Sequence, residues 1–226
     1  MFTNRREGGR KLARHLLHYR SEHPVVLGLP RGGVPVAYEV AAVLEAPLDV
    51  IVVRKLGAPG QPELGIGAVV DGDHPQSVLN EDVIRMIGVS AEFMKREIAL
   101  ELQEVRRRQE LYRSGRPAEP ITGRTAILVD DGIATGGSVR AAIRGLRRLN
   151  PKRLVLAVPV APPETVRSLR SEVDDLVCLS TPAFFQSVGQ FYEDFRQTSD
   201  EEVIEFIDRA RRRITSAQVS ASEEHP

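Results

Sequence analysis

Short apolar runs alternate with amphipathic ones along this chain. "PVVLGL" (24–29) and "LDVIVVRK" (48–55) are near-continuous apolar runs, the pattern of strands covered on both faces. Between them "VPVAYEVAAVLE" (34–45) carries a helical period. The same alternation returns downstream. A strand "GRTAILVDD" (123–131) is followed by a helix "GSVRAAIRGLRR" (137–148), a strand "RLVLAVPV" (153–160), a short helix "PETVRSLR" and a last strand "DLVCLS". At the amino end, residues 4–20 predict a helix with Leu12, Leu16 and Tyr19 on one face. The middle of the chain reads differently. "LGAPGQPELGIG" (56–67) has neither period and predicts a mobile loop. "GAVVDG" and "QSVLN" predict a hairpin turning at "DGDHP". Residues 90–113 form the longest helical pattern, with Ser90 as N-cap and Phe93, Ile98, Leu102, Val105 and Leu111 as its apolar stripe.

Strands alternating with helices predict an α/β fold, with a mainly parallel sheet and helices on both faces. Ligands of such sheets bind at the carboxyl ends of strands, near the point where strand order reverses. Three unusual turns fall at such ends: "PRGG" after residue 29, the segment after Lys55, and "DDGIATGGS" after residue 129. No linker divides the chain, so one domain over 1–214 is expected, with a core at about 25–180. The segment 215–226, without an apolar period, reads as a disordered tail.

Charge changes the picture little: 31 Lys+Arg balance 31 Asp+Glu, so no global basic field recruits nucleic acid. No apolar stretch approaches the roughly 20 residues that span a bilayer. The single cysteine, Cys178, lies in a strand pattern and reads as buried; with no signal peptide visible, a cytoplasmic location is expected.

The chemistry concentrates in "ILVDDGIATGGS" (127–138). Gly136 and Gly137 let backbone approach a ligand closely, and the turn opens a helix whose free N–H groups favour a phosphate. Thr135 and Ser138 add hydroxyl donors. No G-x-x-x-x-G-K-[ST] is present, so this is not a P-loop. Asp130 and Asp131 would repel a phosphate beside them, but ionised carboxylates accept hydrogen bonds and suit vicinal diols. A ribose 5-phosphate satisfies both halves, with hydroxyls on the acids and phosphate in the glycine turn. The acids could also order water around Mg²⁺.

Acid pair, two residues, then A-T-G-G-S resembles the phosphoribosyl-pyrophosphate (PRPP) motif of type I phosphoribosyltransferases, in its adenine-type form. Hypoxanthine-guanine enzymes carry an aspartate where this chain has Ala134. The resemblance implies that Asp130 and Asp131 hold the ribose and, through water, the Mg²⁺ cofactor. It assigns the 5′-phosphate to Ala134, Thr135, Gly136, Gly137 and Ser138. "LPRGG" is similar to the pyrophosphate loop, which assigns Pro30, Arg31, Gly32 and Gly33 to the diphosphate. "VVRKLGAPG" is similar to the start of a loop with an Arg-Lys pair, which adds Arg54 and Lys55. Asp130, Asp131, Arg54, Lys55 and Glu63, the one carboxylate of segment 56–67, are the implied catalytic set. "RKLGAPGQPELGIGAV" and "SVGQFYEDFRQTSDEEV" carry a nearer likeness to bacterial phosphoribosyltransferase-like proteins without an assigned acceptor.

The implied activity is Mg²⁺-dependent transfer of the phosphoribosyl group to a nitrogen acceptor, as in purine salvage and nucleotide metabolism. The acceptor would lie under a hood built from 182–213, with 90–113 as a further contributor. Phe184, Phe185, Phe191 and Tyr192, with Phe195, either stack on a base or pack beneath the hood. Two other readings stay open. One is a PRPP- or nucleotide-sensing regulator, which would gather Arg106–Arg108, Arg147, Arg148 and Arg211–Arg213 into one basic face. The other is a phosphohydrolase of phosphorylated sugars. The expected partners are small molecules, with neither membrane nor nucleic acid; a homodimer is compatible with all of this.

Overall fold

A computed structural model describes residues 1–72 and 75–223. Its strands are β1 (Val25–Gly28), β2 (Leu48–Val50), β3 (Val53–Ala58), β4 (Gln61–Val70), β5 (Gln76–Leu79), β6 (Thr125–Val129), β7 (Arg153–Val160) and β8 (Asp175–Ser180). Its helices are α1 (Arg5–Leu16), α2 (Gly33–Leu44), α3 (Glu81–Ile87), α4 (Ala91–Arg113), α5 (Gly137–Arg148), α6 (Pro163–Leu169) and α7 (Asp200–Glu223).

Five strands form a parallel sheet in the order β2-β1-β6-β7-β8. Successive strand residues face opposite sides. Val25, Leu27, Ala126 and Leu128 therefore pack under α5 and α6, against Ile143, Leu146 and Leu169. Val26, Ile127, Val129 and Val155 pack under α1 and α2, against Leu12, Leu16, Val40 and Leu44. The expected layered α/β fold is the observed one. Strand order reverses between β1 and β6, which brings their carboxyl ends side by side; Leu29 N–H donates to the Val129 carbonyl at 2.9 Å.

Two sequence expectations fail in the middle of the chain. The run 48–55 is not one strand: it crosses from the parallel sheet (β2) into a second, antiparallel sheet ordered β3-β4-β5. An apolar run reads the same in either sheet, so periodicity alone could not divide it. Nor is 56–67 an irregular loop. It supplies the facing arms of β3 and β4, turning at Gly60 with φ +71°. The glycines are there for close approach: a Cβ on Gly57 would lie 2.6 Å from the Pro62 carbonyl oxygen, and one on Gly67 2.5 Å from that of Val78. The expected pairing of β4 with β5 is present, while residues 73 and 74 of the turn between them lie outside the described residues.

Helix α4 carries Ser90 as its N-cap, the side chain accepting from Phe93 N–H at 3.2 Å. Its far end is locked by charge. The Arg113 guanidinium donates to both carboxylate oxygens of Asp49 and of Asp71, at 2.9–3.1 Å, and to the Val50 carbonyl at 2.9 Å. All three charged residues are buried. Helix α3 is too short for its period to show in sequence. Helix α7 buries Val203, Ile207 and Ala210 and runs on to Glu223, so 215–223 is helical rather than a disordered tail; residues 224–226 of that expected tail lie outside the described residues. Propagating a formed helix gains one hydrogen bond per residue without a new apolar face. No helix among the described residues is long and apolar enough to cross a membrane.

Candidate functional site

The turn after β1 and the turn after β6 touch. Gly32 and Gly33 are required by that contact: a Cβ on Gly33 would lie 2.8 Å from the Val129 carbonyl oxygen and 2.9 Å from Asp130 Cα. One on Gly32 would overlap the Asp131 carboxylate, with its Cγ 2.9 Å away. The Pro30–Arg31 peptide is cis. Gly33 N–H is taken by the Leu29 carbonyl and Val34 N–H by that of Arg31. The Gly33 and Val34 N–H groups are therefore engaged within the turn itself.

The acid pair sits at the end of β6. Asp130 Oδ1 accepts from Asp131 N–H at 2.9 Å. Burial, and then the charge of Asp131, push the Asp130 carboxyl well above the ordinary aspartate range. Burial raises Asp131 as well, and the Arg5 guanidinium opposes it, with Arg5 Nε 2.7 Å from Asp131 Oδ2. The Tyr192 hydroxyl donates to the Asp131 carbonyl at 2.5 Å. Sequence reasoning missed Arg5; it arrives from 126 residues away and carries no local signal.

The glycine turn enters α5 as expected, with Gly136 at φ +81°. Thr165, also unanticipated, fixes the turn by donating to the Ala134 carbonyl at 2.8 Å. Thr135 and Gly137 line a cleft of about 280 Å³ with Lys55, Asn80, Arg140 and Arg144. Lys55 Nζ lies 3.8 Å from where a Gly137 Cβ would be. An ammonium at the positive end of a helix dipole suits a site that takes an anion between them.

The remaining candidates are distributed unevenly. Arg54 follows the strand alternation to the other face of β3, where Nε pairs with Glu101 of α4 at 2.6 Å; that bond raises its pKa. Arg54 and Lys55, expected together at the diphosphate, are thus separated. Arg31 Nη1 lies 3.9 Å from Asp200 Oδ1, which also accepts from the Tyr112 hydroxyl at 2.6 Å. Glu63 falls on β4, with its side chain outside the described residues. Phe185, Phe191, Tyr192 and Phe195 pack with Phe2, Val160 and Val188 beside the sheet; Phe184 alone among them is open, at 91% exposure. Packing, not an open aromatic wall, is what most of these rings do.

The basic face expected of a nucleic-acid regulator is divided. Arg107 and Arg108 pair with Glu104, Arg147 with Asp174, and Arg213 turns inward to the Ala41 carbonyl. Arg211 and Arg212 line a separate groove with Arg116. Among the described residues no cluster of three or more His, Cys, Asp or Glu is arranged to hold a metal by itself.

Fold and site together define an α/β domain whose turns after β1 and β6 meet where strand order reverses, the position at which such sheets bind ligands. The family follows from comparison: the phosphoribosyl transferase domain matches residues 4–196, and the chain belongs to that family. Two Mycobacterium tuberculosis proteins, named "Putative phosphoribosyl transferase" Rv0571c (strain H37Rv) and MT0597 (strain CDC 1551), are each 49% identical over 217 residues. That match covers 96% of this chain and 48% of theirs, so the chain spans about half the length of these relatives. TT1426 from Thermus thermophilus, known from a crystal structure, is 44% identical with a TM-score of 0.82, over 92% of this chain and 97% of that one.

Proposed function

We propose that the protein transfers the 5-phosphoribosyl group of PRPP to a nitrogen acceptor and releases diphosphate. The observation that carries this reading is the partly buried acid pair Asp130–Asp131 beside a glycine turn that faces Lys55 at the start of α5. In the reaction the bond from ribose C1 to the diphosphate oxygen breaks and a C1–N bond forms, through a transition state of oxocarbenium character. Asp130 and Asp131 hold the ribose hydroxyls. The N–H groups of the 135–138 turn and Lys55 hold the 5′-phosphate. Arg31 and the N–H groups of Arg31 and Gly32 face the leaving diphosphate, where negative charge accumulates.

Two carboxylates without a full protein cage suit Mg²⁺ that arrives on the diphosphate and keeps several waters. When bound, the ion supplies charge neutralisation at the leaving group. Ala134 offers no carboxylate to a purine, which favours an adenine-type or other acceptor over a 6-oxopurine, and exposed Phe184 is the ring available to stack on it.

The test follows diphosphate release from PRPP and Mg²⁺ with a panel of purines, pyrimidines and other nitrogen acceptors. Acceptor-dependent release is expected. Release without any acceptor would favour a phosphohydrolase, and no release would remove the transferase reading. Asp130→Asn combined with Asp131→Asn should abolish PRPP binding in calorimetry while the circular dichroism spectrum stays folded.

A further inference from the structure

Residues 2–5 are woven into the segment that covers the acid pair. Phe2 N–H donates to the Phe191 carbonyl at 2.7 Å, Glu193 N–H to Phe2 at 2.9 Å, and Asp194 N–H to Thr3 at 2.9 Å. Arg5 continues from this seam into the site and divides its guanidinium among three partners. Nε meets Asp131 Oδ2 at 2.7 Å, Nη1 donates to the Arg196 carbonyl at 2.7 Å, and the planar group lies 3.8 Å from the centroid of the Phe195 ring. The Arg5 side chain is 11% exposed and that of Asp131 13%, so the pair is largely shielded from solvent. The Tyr192 hydroxyl on the Asp131 carbonyl ties the same two regions by a second route.

We propose that Arg5 is a positioning residue that couples segment 188–198, part of the stretch 182–213 expected to form the hood, to the ribose-holding carboxylate of Asp131. The inference rests on the reading that Asp131 meets the ribose of PRPP. Arg5 engages Asp131 Oδ2, the oxygen that lies against the Gly32 backbone, and so fixes the carboxylate's orientation. Because the same planar group stacks on Phe195 and bonds Arg196, movement of the carboxylate is felt in the hood. Any such coupling is reciprocal: a ligand on Asp131 orders the hood, and an ordered hood favours the ligand. Only arginine can do this. A lysine ammonium is a point charge without the fork or the stacking face.

The experiment combines calorimetry of Mg²⁺–PRPP with amide hydrogen exchange of segment 188–198, on wild type, Arg5→Met and Arg5→Lys. Wild-type hood amides should slow on PRPP binding. Arg5→Met should weaken PRPP about tenfold or more, the scale of one lost charge-assisted hydrogen bond. Its hood amides should exchange faster and stop responding to PRPP, with amides of β1, β6 and β7 unchanged. Arg5→Lys should recover most of the affinity but not the hood response. Wild-type binding with Arg5→Met equal to it would overturn the inference alone. So would lost affinity with a hood response like that of wild type, or faster exchange throughout the sheet. No PRPP binding to the wild-type chain would overturn the parent reading and this one with it.

Discussion

Replacing Arg113 by methionine isolates the charge lock at the end of α4. The substitution keeps most of the side chain's length and apolar volume and removes a guanidinium that bonds Asp49, Asp71 and the Val50 carbonyl. The two carboxylates remain at 1% and 3% exposure without their cation. Removing one partner of a buried ion pair costs about 3–5 kcal/mol. Backbone donors soften the loss without cancelling it, since Asp49 also accepts from Val50 and Glu119 N–H, and Asp71 from Val52 and Gly72 N–H. For a chain of this size each kcal/mol moves the melting temperature by roughly 2–4 °C, so a fall of about 6–20 °C is expected. Circular dichroism melts would measure it. Adding Asp49→Asn and Asp71→Asn should restore much of the stability, because uncharged groups no longer require a cation there. A fall of less than about 2 °C, under 1 kcal/mol on the same scale, or a triple variant no better than the single, would refute this account of how α4 is anchored.

Three further substitutions probe the site. Lys55→Met should weaken ribose 5-phosphate by about 10- to 100-fold in calorimetry, on the scale of a charge-assisted hydrogen bond, and leave inorganic diphosphate binding unchanged; the reverse pattern would return Lys55 to the leaving-group side. Asp130 has its carboxyl pKa raised by burial and by Asp131, so folding favours its protonated form. Its contribution to stability is intact below about pH 4 and is lost as pH rises through the raised value. Asp130→Asn should therefore melt above wild type at pH 7–8 and level with it near pH 3, by calorimetry; equal melting at both would remove the strain assigned to this acid. Gly33→Ala should lose about 1–3 kcal/mol in urea unfolding, because its Cβ meets fixed backbone. Gly65→Ala, with nothing within 4 Å, is the control and should lose little. Equal losses would refute the close-packing account.

Much of the scaffold was legible because its signals are local. Strands β1, β6, β7 and β8 announce themselves as apolar runs, and the glycine turn that opens α5 is marked by its own residues. The hairpin of β3 and β4 was not legible. Glycine and proline mark irregular chain and close strand approach alike, and Gly57 and Gly67 are distinguished only by the backbone opposite them. Arg54 and Lys55 looked like one pair because they are neighbours in sequence. Strand geometry sends them to opposite faces, and the helix lying over each face decides their partners: Glu101 on α4 for Arg54, the amino end of α5 for Lys55.

The chain by itself determined most of the alternation of strands and helices, the placing of the turns after β1 and β6 at strand ends, and the acid pair beside the glycine turn. These depend on period, propensity and motif, which act over a few residues. Tertiary structure alone decided that Arg5 stands on Asp131, that Tyr192 and Phe195 close over it, and that Lys55 rather than Arg54 reaches the glycine turn before α5. Those contacts join residues far apart in the chain, Arg5 and Asp131 by 126 positions. They form because the sheet's strand order brings distant ends together, and no local pattern encodes which side chain will be waiting there.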